Sequence, residues 1–399
     1  MASSSRSRWW LRLLRYGLCI AAIVFLVRNV EWYDTVRLSD IKGPTHRLLE
    51  QRNGTLVIEQ DGQPTEHPAA AFHHAVLPDG SIEPIVTPGI PNVVLGVDRR
   101  LALLAVLLFA PVWLIQSYRL VLMVAMQGVR LSYWAAVKLT YAGSFFNFAL
   151  PGTVGGDVVK AYYITHYTRQ KTEVVTTIFL DRAIGLFSVV LLATGGILAR
   201  WDPQQFGDLT SGLAVIFGIL IVTALTVFSK RIRHALKLPA LAERLPLGAQ
   251  LLRIGRATVA MRQHKRRVIW ALVLSVVLQS VVMTSAAVMA WALGMEGELS
   301  FYFVYISVGF LIAAVPITPQ AIGVMEAFYV EVFTRAGLAT ASQAVTLALA
   351  VRLIQFTWAL PGVLVPLLGA HLPSKAQLAE LEAQAASVTT PLSANPSAE

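Results

Sequence analysis

The run Phe145-Phe146-Asn147-Phe148-Ala149-Leu150-Pro151-Gly152-Thr153-Val154-Gly155-Gly156-Asp157-Val158-Val159-Lys160 decides how the rest of the chain is read. An apolar segment stops at Pro-Gly, passes a Gly-Gly pair and restarts with an acid and a base three residues apart. Proline removes a backbone donor and glycine loosens a helix, so the expectation is a broken helix. In lipid a break survives only where protein or a polar cavity satisfies the freed backbone groups, which makes this stretch the first candidate for function.

The 399-residue chain around it is 55% hydrophobic and only 14% charged, with a mean hydropathy of +0.60. Soluble domains carry about a quarter charged residues, so the composition is that of an integral membrane protein. Its one cysteine, Cys19, rules out a disulfide framework within the chain. The net charge of +10 does not point to nucleic acid, because the bases crowd the ends of apolar spans and no reader motif accompanies them.

Outward from the break, the hydropathy predicts an all-α polytopic membrane protein. Residues 1–29 form a first span: Arg6, Arg8, Arg12 and Arg15 precede an apolar run to Val27, and no small-residue cleavage site follows. Residues 30–98 hold ten acids against four bases, with the turn dipeptides Asn53-Gly54, Asp61-Gly62 and Asp79-Gly80 beside β-prone runs such as Thr55-Leu56-Val57-Ile58. The expectation there is a small β-rich extracytoplasmic insertion, or a partly ordered loop.

A membrane domain over 99–370 follows. Full spans are expected from Arg99 to about Met126, over 172–199, over 209–228, from Val268 to Leu293, and over 342–369. The apolar run 139–150 has about half of the ~20 residues a spanning helix needs. Lys138 before it and Lys160, Arg169 and Lys171 after it suggest a hairpin entering and leaving on the cytoplasmic side. Residues 301–315 are again short before Pro316-Ile317-Thr318-Pro319, with Gly323 and Glu326 beyond, a second interrupted element approached from outside. The count is about six full spans plus two broken, re-entrant hairpins, or eight spans if both hairpins cross. Between 229 and 267 lie eleven Lys/Arg and one acid, Glu243, the strongest cytoplasmic signature in the chain. This loop fixes topology or lies as amphipathic helix on anionic lipid. A polar tail over 371–399 is expected to be disordered in the cytoplasm, with both termini on that side of the cytoplasmic (inner) membrane.

A charge at the centre of a membrane helix costs about 2.5–3.5 kcal/mol on insertion scales, so each one requires a reason. The candidates are Asp157 and Lys160, Asp181 and Arg182, Glu326, and Arg352. Asp181 and Arg182 point about 100° apart on a helix, so each needs its own partner. In one reading these are interhelical ion pairs that fix packing. In the other, Lys160, Arg182 and Arg352 hold an anionic head group while the acids balance or release it, with Asp157 and Lys160 on one wall and Arg182, Glu326 and Arg352 opposite. Gly155-Gly156-Asp157 suits the start of a helix whose free N–H groups face an anion, with Asp157 as N-cap. No catalytic set emerges: there is no nucleophile elbow, no zinc-protease helix and no phosphate loop, and His73-His74 is too sparse for a metal. The expectation is a non-enzyme without metal or cofactor.

Asn147-x-x-Leu150-Pro151-Gly152-x-x-Gly155-Gly156-Asp157, Asp181-Arg182-x-x-Gly185-Leu186 and Pro316-x-Thr318-Pro319-x-x-x-Gly323-x-x-Glu326 resemble the motifs of the lysylphosphatidylglycerol synthase transmembrane region, the flippase-like family. Arg352-Leu353 is similar to its last motif, and the resemblance covers roughly 100–370 and the first span. It implies an inner-membrane protein moving modified or anionic phospholipids, or polyprenyl-linked lipids, between leaflets. The residues it implicates are Pro151, Gly152, Gly155, Gly156, Asp157, Lys160, Asp181, Arg182, Pro316, Pro319, Gly323, Glu326 and Arg352. Longer relatives add an aminoacyl-transferase domain. Here about 30 polar residues follow the last span, so the chain is not expected to make the lysyl lipid itself. Lys160 replaces a usual arginine, keeping the charge but losing bidentate phosphate geometry. Gln320-Ala321 replaces a usual glycine pair. A different class of function stays open: a non-transporting scaffold for an envelope-lipid or glycosyl-transfer enzyme, worked through the 30–98 insertion. A membrane-embedded transferase is the third reading.

Overall fold

Apolar sequence dictates the dominant elements. Among the described residues four helices are long and apolar enough to cross a membrane, over Arg99–Ala125, Leu180–Ala199, Lys265–Ala292 and Ala341–Val363, and the shorter Leu299–Ala314 is apolar too. The chain is a polytopic membrane protein. The structure, a computed structural model, describes residues 24, 32–38, 45–52, 55–60, 62–72, 74–76, 82–149, 155–165, 171–200, 215, 218, 264–314, 318 and 321–367. The first span, nearly all of 209–228 and the basic loop up to 263, and the tail 371–399 lie outside the described residues. So do the breaks at 150–154 and 315–317 and Pro319, and with them Pro151, Gly152 and Pro316.

Two compact units emerge. One comprises Met1–Ala105, Ala286–Gly297 and Ile322–Arg352; the other comprises Val106–Ser285, Glu298–Ala321 and Leu353–Glu399.

The first unit opens with strands β1 (Thr35–Arg37), β2 (Thr45–Arg52), β3 (Thr55–Gln60), β4 (Gln63–Pro68), β5 (His74–Val76), β6 (Ile82–Pro84) and β7 (Val86–Thr87). Five form an antiparallel sheet in the order β4-β3-β2-β1-β7, while β5 and β6 pair separately. Alternation explains the sheet: Leu56 and Ile58 of β3 are buried and meet Val36 and Phe72 in a small core. Gly62, at φ +77°, makes the tight turn from β3 to β4 that Asp61-Gly62 signals. The Asp34 carboxylate accepts from Gly89 N–H (2.7 Å) and Asn92 Nδ2 (2.6 Å), tying the sheet to helix α1 (Ile90–Leu95). Asp98 then caps α2 (Arg99–Leu108), accepting from the backbone N–H of Arg100 and Leu101.

The remaining helices are α3 (Pro111–Ala125), α4 (Tyr133–Ala149), α5 (Gly155–Thr165), α6 (Lys171–Arg200), α7 (Lys265–Ala292), α8 (Leu299–Ala314), α9 (Val324–Arg335), α10 (Ala341–Ala359) and α11 (Leu364–Leu367), with a 3-10 turn over Leu360–Val363. In the second unit α4 packs against α3, α5 and the 3-10 turn, and α6 against α8. Leu120, Val124, Leu139, Ile164 and Ile178 share one apolar core there. Small residues set how closely these backbones approach, as expected where lipid supplies no hydrophobic drive between helices. A Cβ on Gly156 would lie 1.8 Å from the Gly143 carbonyl oxygen, and one on Gly362 2.1 Å from that of Tyr141. Helices α4 and α5 are thus a tight hairpin about the break that the sequence announces.

Candidate functional site

Charged side chains of the described membrane helices form one shared centre in each unit, with a separate buried pair, Arg119–Asp181, in the second. In the second unit Asp157 is the third residue of α5 and side-on to two cations. Arg182 of α6 donates through Nε to one carboxylate oxygen, and Lys160 Nζ lies 3.7 Å from the other. Asp157 and Lys160 are nearly enclosed, at 13% and 8% side-chain exposure, whereas Arg182 retains 39%. Lys160 reaches the carboxylate because Gly143 leaves room for its stem; a Cβ there would sit 2.4 Å from Cε.

Asp157 is therefore not the N-cap that its position suggested. The Gly156 N–H is satisfied instead by Asn147 Oδ1 at 2.8 Å, across the hairpin from α4. The helix begins at Gly155, which puts Asp157 inside the first turn, where its carboxylate is still favoured by the helix dipole while its oxygens turn to the two cations.

Asp181, the neighbour of Arg182, takes a separate partner. Arg119 of α3 donates Nη2 to Asp181 Oδ2 at 2.7 Å and Nη1 to Ser275 Oγ of α7 at 2.7 Å. Arg119 and Ser275 are buried, and the Ser275 hydroxyl donates in turn to the Ala271 carbonyl at 2.7 Å. Arg119 Nε and Asp181 Oδ1 are buried without a hydrogen-bond partner among the described residues. Sequence reasoning missed Arg119. The signal was there: it is the only charged residue between Arg100 and Arg130, inside an otherwise apolar span.

In the first unit Glu326 is the third residue of α9, with only 2% of its side chain exposed. Its Oε2 accepts the Gly323 N–H at 2.7 Å, closing the helix start, and its Oε1 lies 2.6 Å from Arg352 Nη1 of α10. The second contact is one of charge rather than a well-directed hydrogen bond. One turn along α9, Tyr329 is fully buried and its hydroxyl has no hydrogen-bond partner among the described residues. Ala321 adopts φ +53°, and Gly323 follows at +84°. The backbone here demands a left-handed turn whatever the residue.

Of the sequence-predicted residues, Gly155, Gly156, Asp157, Lys160 and Arg182 come together around the α4–α5 hairpin, Asp181 turns instead to Arg119 of α3, and Gly323, Glu326 and Arg352 meet around the start of α9. Pro151, Gly152, Pro316 and Pro319 fall outside the described residues. Among the described residues no three His, Cys, Asp or Glu side chains are grouped to hold a metal.

No curated protein and no solved structure matches the chain. One family model does, that of the lysylphosphatidylglycerol synthase TM region, over residues 89–362, so that both charged centres fall inside the match and the β-strands before residue 88 outside it. Spanning well over half of the sequence, this match makes the chain a member of the lysylphosphatidylglycerol synthase TM region family, and its function a membrane-lipid-related one.

Proposed function

We propose that this protein moves an anionic or modified phospholipid, or a polyprenyl-linked lipid, across the cytoplasmic membrane, and that the Asp157–Lys160–Arg182 centre receives the anionic head group. The observation that carries the reading is that two cations share one carboxylate, with the outer cation, Arg182, over a third exposed. A phosphate approaching Arg182 competes with Asp157 for the guanidinium, and Lys160 then neutralises the released carboxylate. Exchange of partners within a preformed centre avoids leaving any charge unpaired at membrane depth, which is the main barrier to moving a head group through lipid. The Glu326–Arg352 pair has the same acid-and-arginine chemistry in a more enclosed form.

The test is transbilayer movement of labelled phosphatidylglycerol in liposomes holding the purified protein. Acceleration is expected from wild type, with loss in Arg182→Gln and Asp157→Asn at equal helical content. Wild-type rates from both variants, or no acceleration with any anionic lipid offered, defeat the reading.

A second reading has its own support, since the five-stranded sheet lies outside the family match. The sheet then docks an enzyme of envelope-lipid or glycosyl transfer, with the membrane domain as scaffold. Deleting 32–87 separates the two, because translocation in liposomes survives the deletion under the first reading while the cellular function is lost under the second.

A further inference from the structure

A cavity of about 610 Å³ opens between α3 and the start of α7, away from the residues of either charged centre. Its cationic side is Lys265, Arg266 and Arg267, with His264 beside them, and no acid among the described residues lines it. Arg267 is partly engaged, donating Nη1 to the Ala125 carbonyl at 3.3 Å, where α3 ends. Lys265 and Arg266 are exposed and have no acidic partner among the described residues. Tyr118 and Trp270, each about half exposed, form the flanks, and Leu122 and Leu274 supply the apolar remainder of the lining. The aromatic rim continues outside the cavity: Tyr118 meets the Tyr133 ring edge-on at 6.4 Å, and Tyr133 meets Trp134 at 5.6 Å.

We propose that this cavity holds an anionic phospholipid, phosphate against Lys265 and Arg266 and acyl chain over Leu122 and Leu274, as a retained lipid and not as cargo. Each part of the lining asks for a different part of such a molecule. Three permanent cations with no acid beside them among the described residues create a site for an anion, and basic pockets between membrane helices at a membrane surface recruit acidic head groups. Tyrosine and tryptophan settle at head-group depth because their rings are apolar and their tips polar. The apolar lining distinguishes lipid from a soluble anion: free phosphate gains nothing from Leu122, Leu274 or Trp270, whereas an acyl chain buries against them. The volume is within the range of small-molecule sites. Positive-inside topology accounts for the charges but not for a concave apolar surface between them. The proposal stands apart from the translocation reading, since none of its residues belongs to either charged centre.

Native mass spectrometry of the full-length protein in detergent, with dioleoylphosphatidylglycerol or dioleoylphosphatidylcholine added, tests it. Wild type is expected to retain the glycerol lipid over the choline lipid. Lys265→Gln with Arg266→Gln should lower that retention by about tenfold, while Arg52→Gln, in the sheet, changes nothing. Nine of the eleven bases between 229 and 267 remain in the double variant, which preserves the topology signal. Trp270→Ala, which leaves every charge in place, should also weaken retention. Equal retention of the two lipids by wild type, or undiminished glycerol-lipid retention in either the double variant or Trp270→Ala, overturns the proposal. So does displacement of the lipid by millimolar inorganic phosphate beyond what sodium chloride of equal ionic strength achieves, which would mark a site for the free anion.

Discussion

Asp157 and Glu326 occupy the same helical address: each is the third residue of a helix that follows a proline-bearing interruption, and each engages an arginine of the next long helix. The two differ in what else they hold. Asp157 shares itself with Lys160, while Glu326 spends its second oxygen on the Gly323 N–H. Removing the Asp157 charge therefore strands an almost enclosed lysine, whereas removing Arg182 leaves Asp157 with Lys160 still at hand. Asp157→Asn should destabilise the protein by about 3 kcal/mol or more, as for other broken buried pairs, and Arg182→Gln by clearly less. Unfolding in detergent of the two variants, and of Asp157→Asn combined with Lys160→Met, checks this. The combined variant should recover most of the loss.

The Arg119–Asp181 pair makes the opposite prediction for function. Arg119 is 6% exposed and bound to Ser275 as well, so it has no surface for a ligand to reach. Arg119→Met or Asp181→Asn alone should cost about 3–5 kcal/mol, and Arg119→Met with Asp181→Leu much less than the sum. Lipid movement measured at a temperature where every variant is folded should be preserved in the double variant. A loss there as deep as in Arg182→Gln would place Arg119 in the transport path.

Much of this arrangement is legible from residues alone. A Pro-Gly and Gly-Gly pair in an apolar run forces a helix break, and the restart at Gly155 follows. The 100° between adjacent helical residues says that Asp181 and Arg182 part company, yet it does not say to whom each turns. That choice is made by long-range packing: Arg119 precedes Asp181 by 62 residues and reaches Ser275 156 residues later in the chain. A lone arginine in an otherwise apolar span is easily absorbed into the span, because hydropathy averages it away. The role of Asn147 was hidden for a related reason. Its side chain satisfies a backbone donor on another helix, and nothing local marks that. The division into two units has no local signature either, since three of its five boundaries fall inside helices, in α2, α7 and α10.

Glycines should separate into those that permit contact and those that do not. A Cβ at Gly156 collides with backbone at 1.8 Å, which no rotamer change relieves, whereas one at Gly195, in the interior of α6, meets nothing within 4 Å. Gly156→Ala should destabilise by about 3 kcal/mol through forced separation of α4 and α5. Gly195→Ala should stabilise by up to about 1 kcal/mol, the helix-propensity difference. Thermal unfolding of both in the same detergent gives the contrast; equal effects would mean that the α4–α5 approach is looser than the structure has it.

Ala321 supplies the most economical test of the turn leading into α9. Its φ of +53° lies in the left-handed region, where the methyl crowds the backbone, and its side chain is buried, so it cannot relax toward solvent. Gly323, two residues on at φ +84°, has the residue its conformation calls for. Left-handed geometry costs an L-residue about 1–2 kcal/mol, and part of any relief is returned as the extra chain entropy glycine gains when unfolded. Ala321→Gly should therefore stabilise by roughly 0.5–1 kcal/mol, and Gly323→Ala should destabilise by at least as much. The opposite ordering in unfolding midpoints would mean that the two residues exchange conformations in the membrane-embedded protein. In the ordering expected here, the alanine at 321 carries a local strain beside the helix start that the Gly323–Glu326 contact closes.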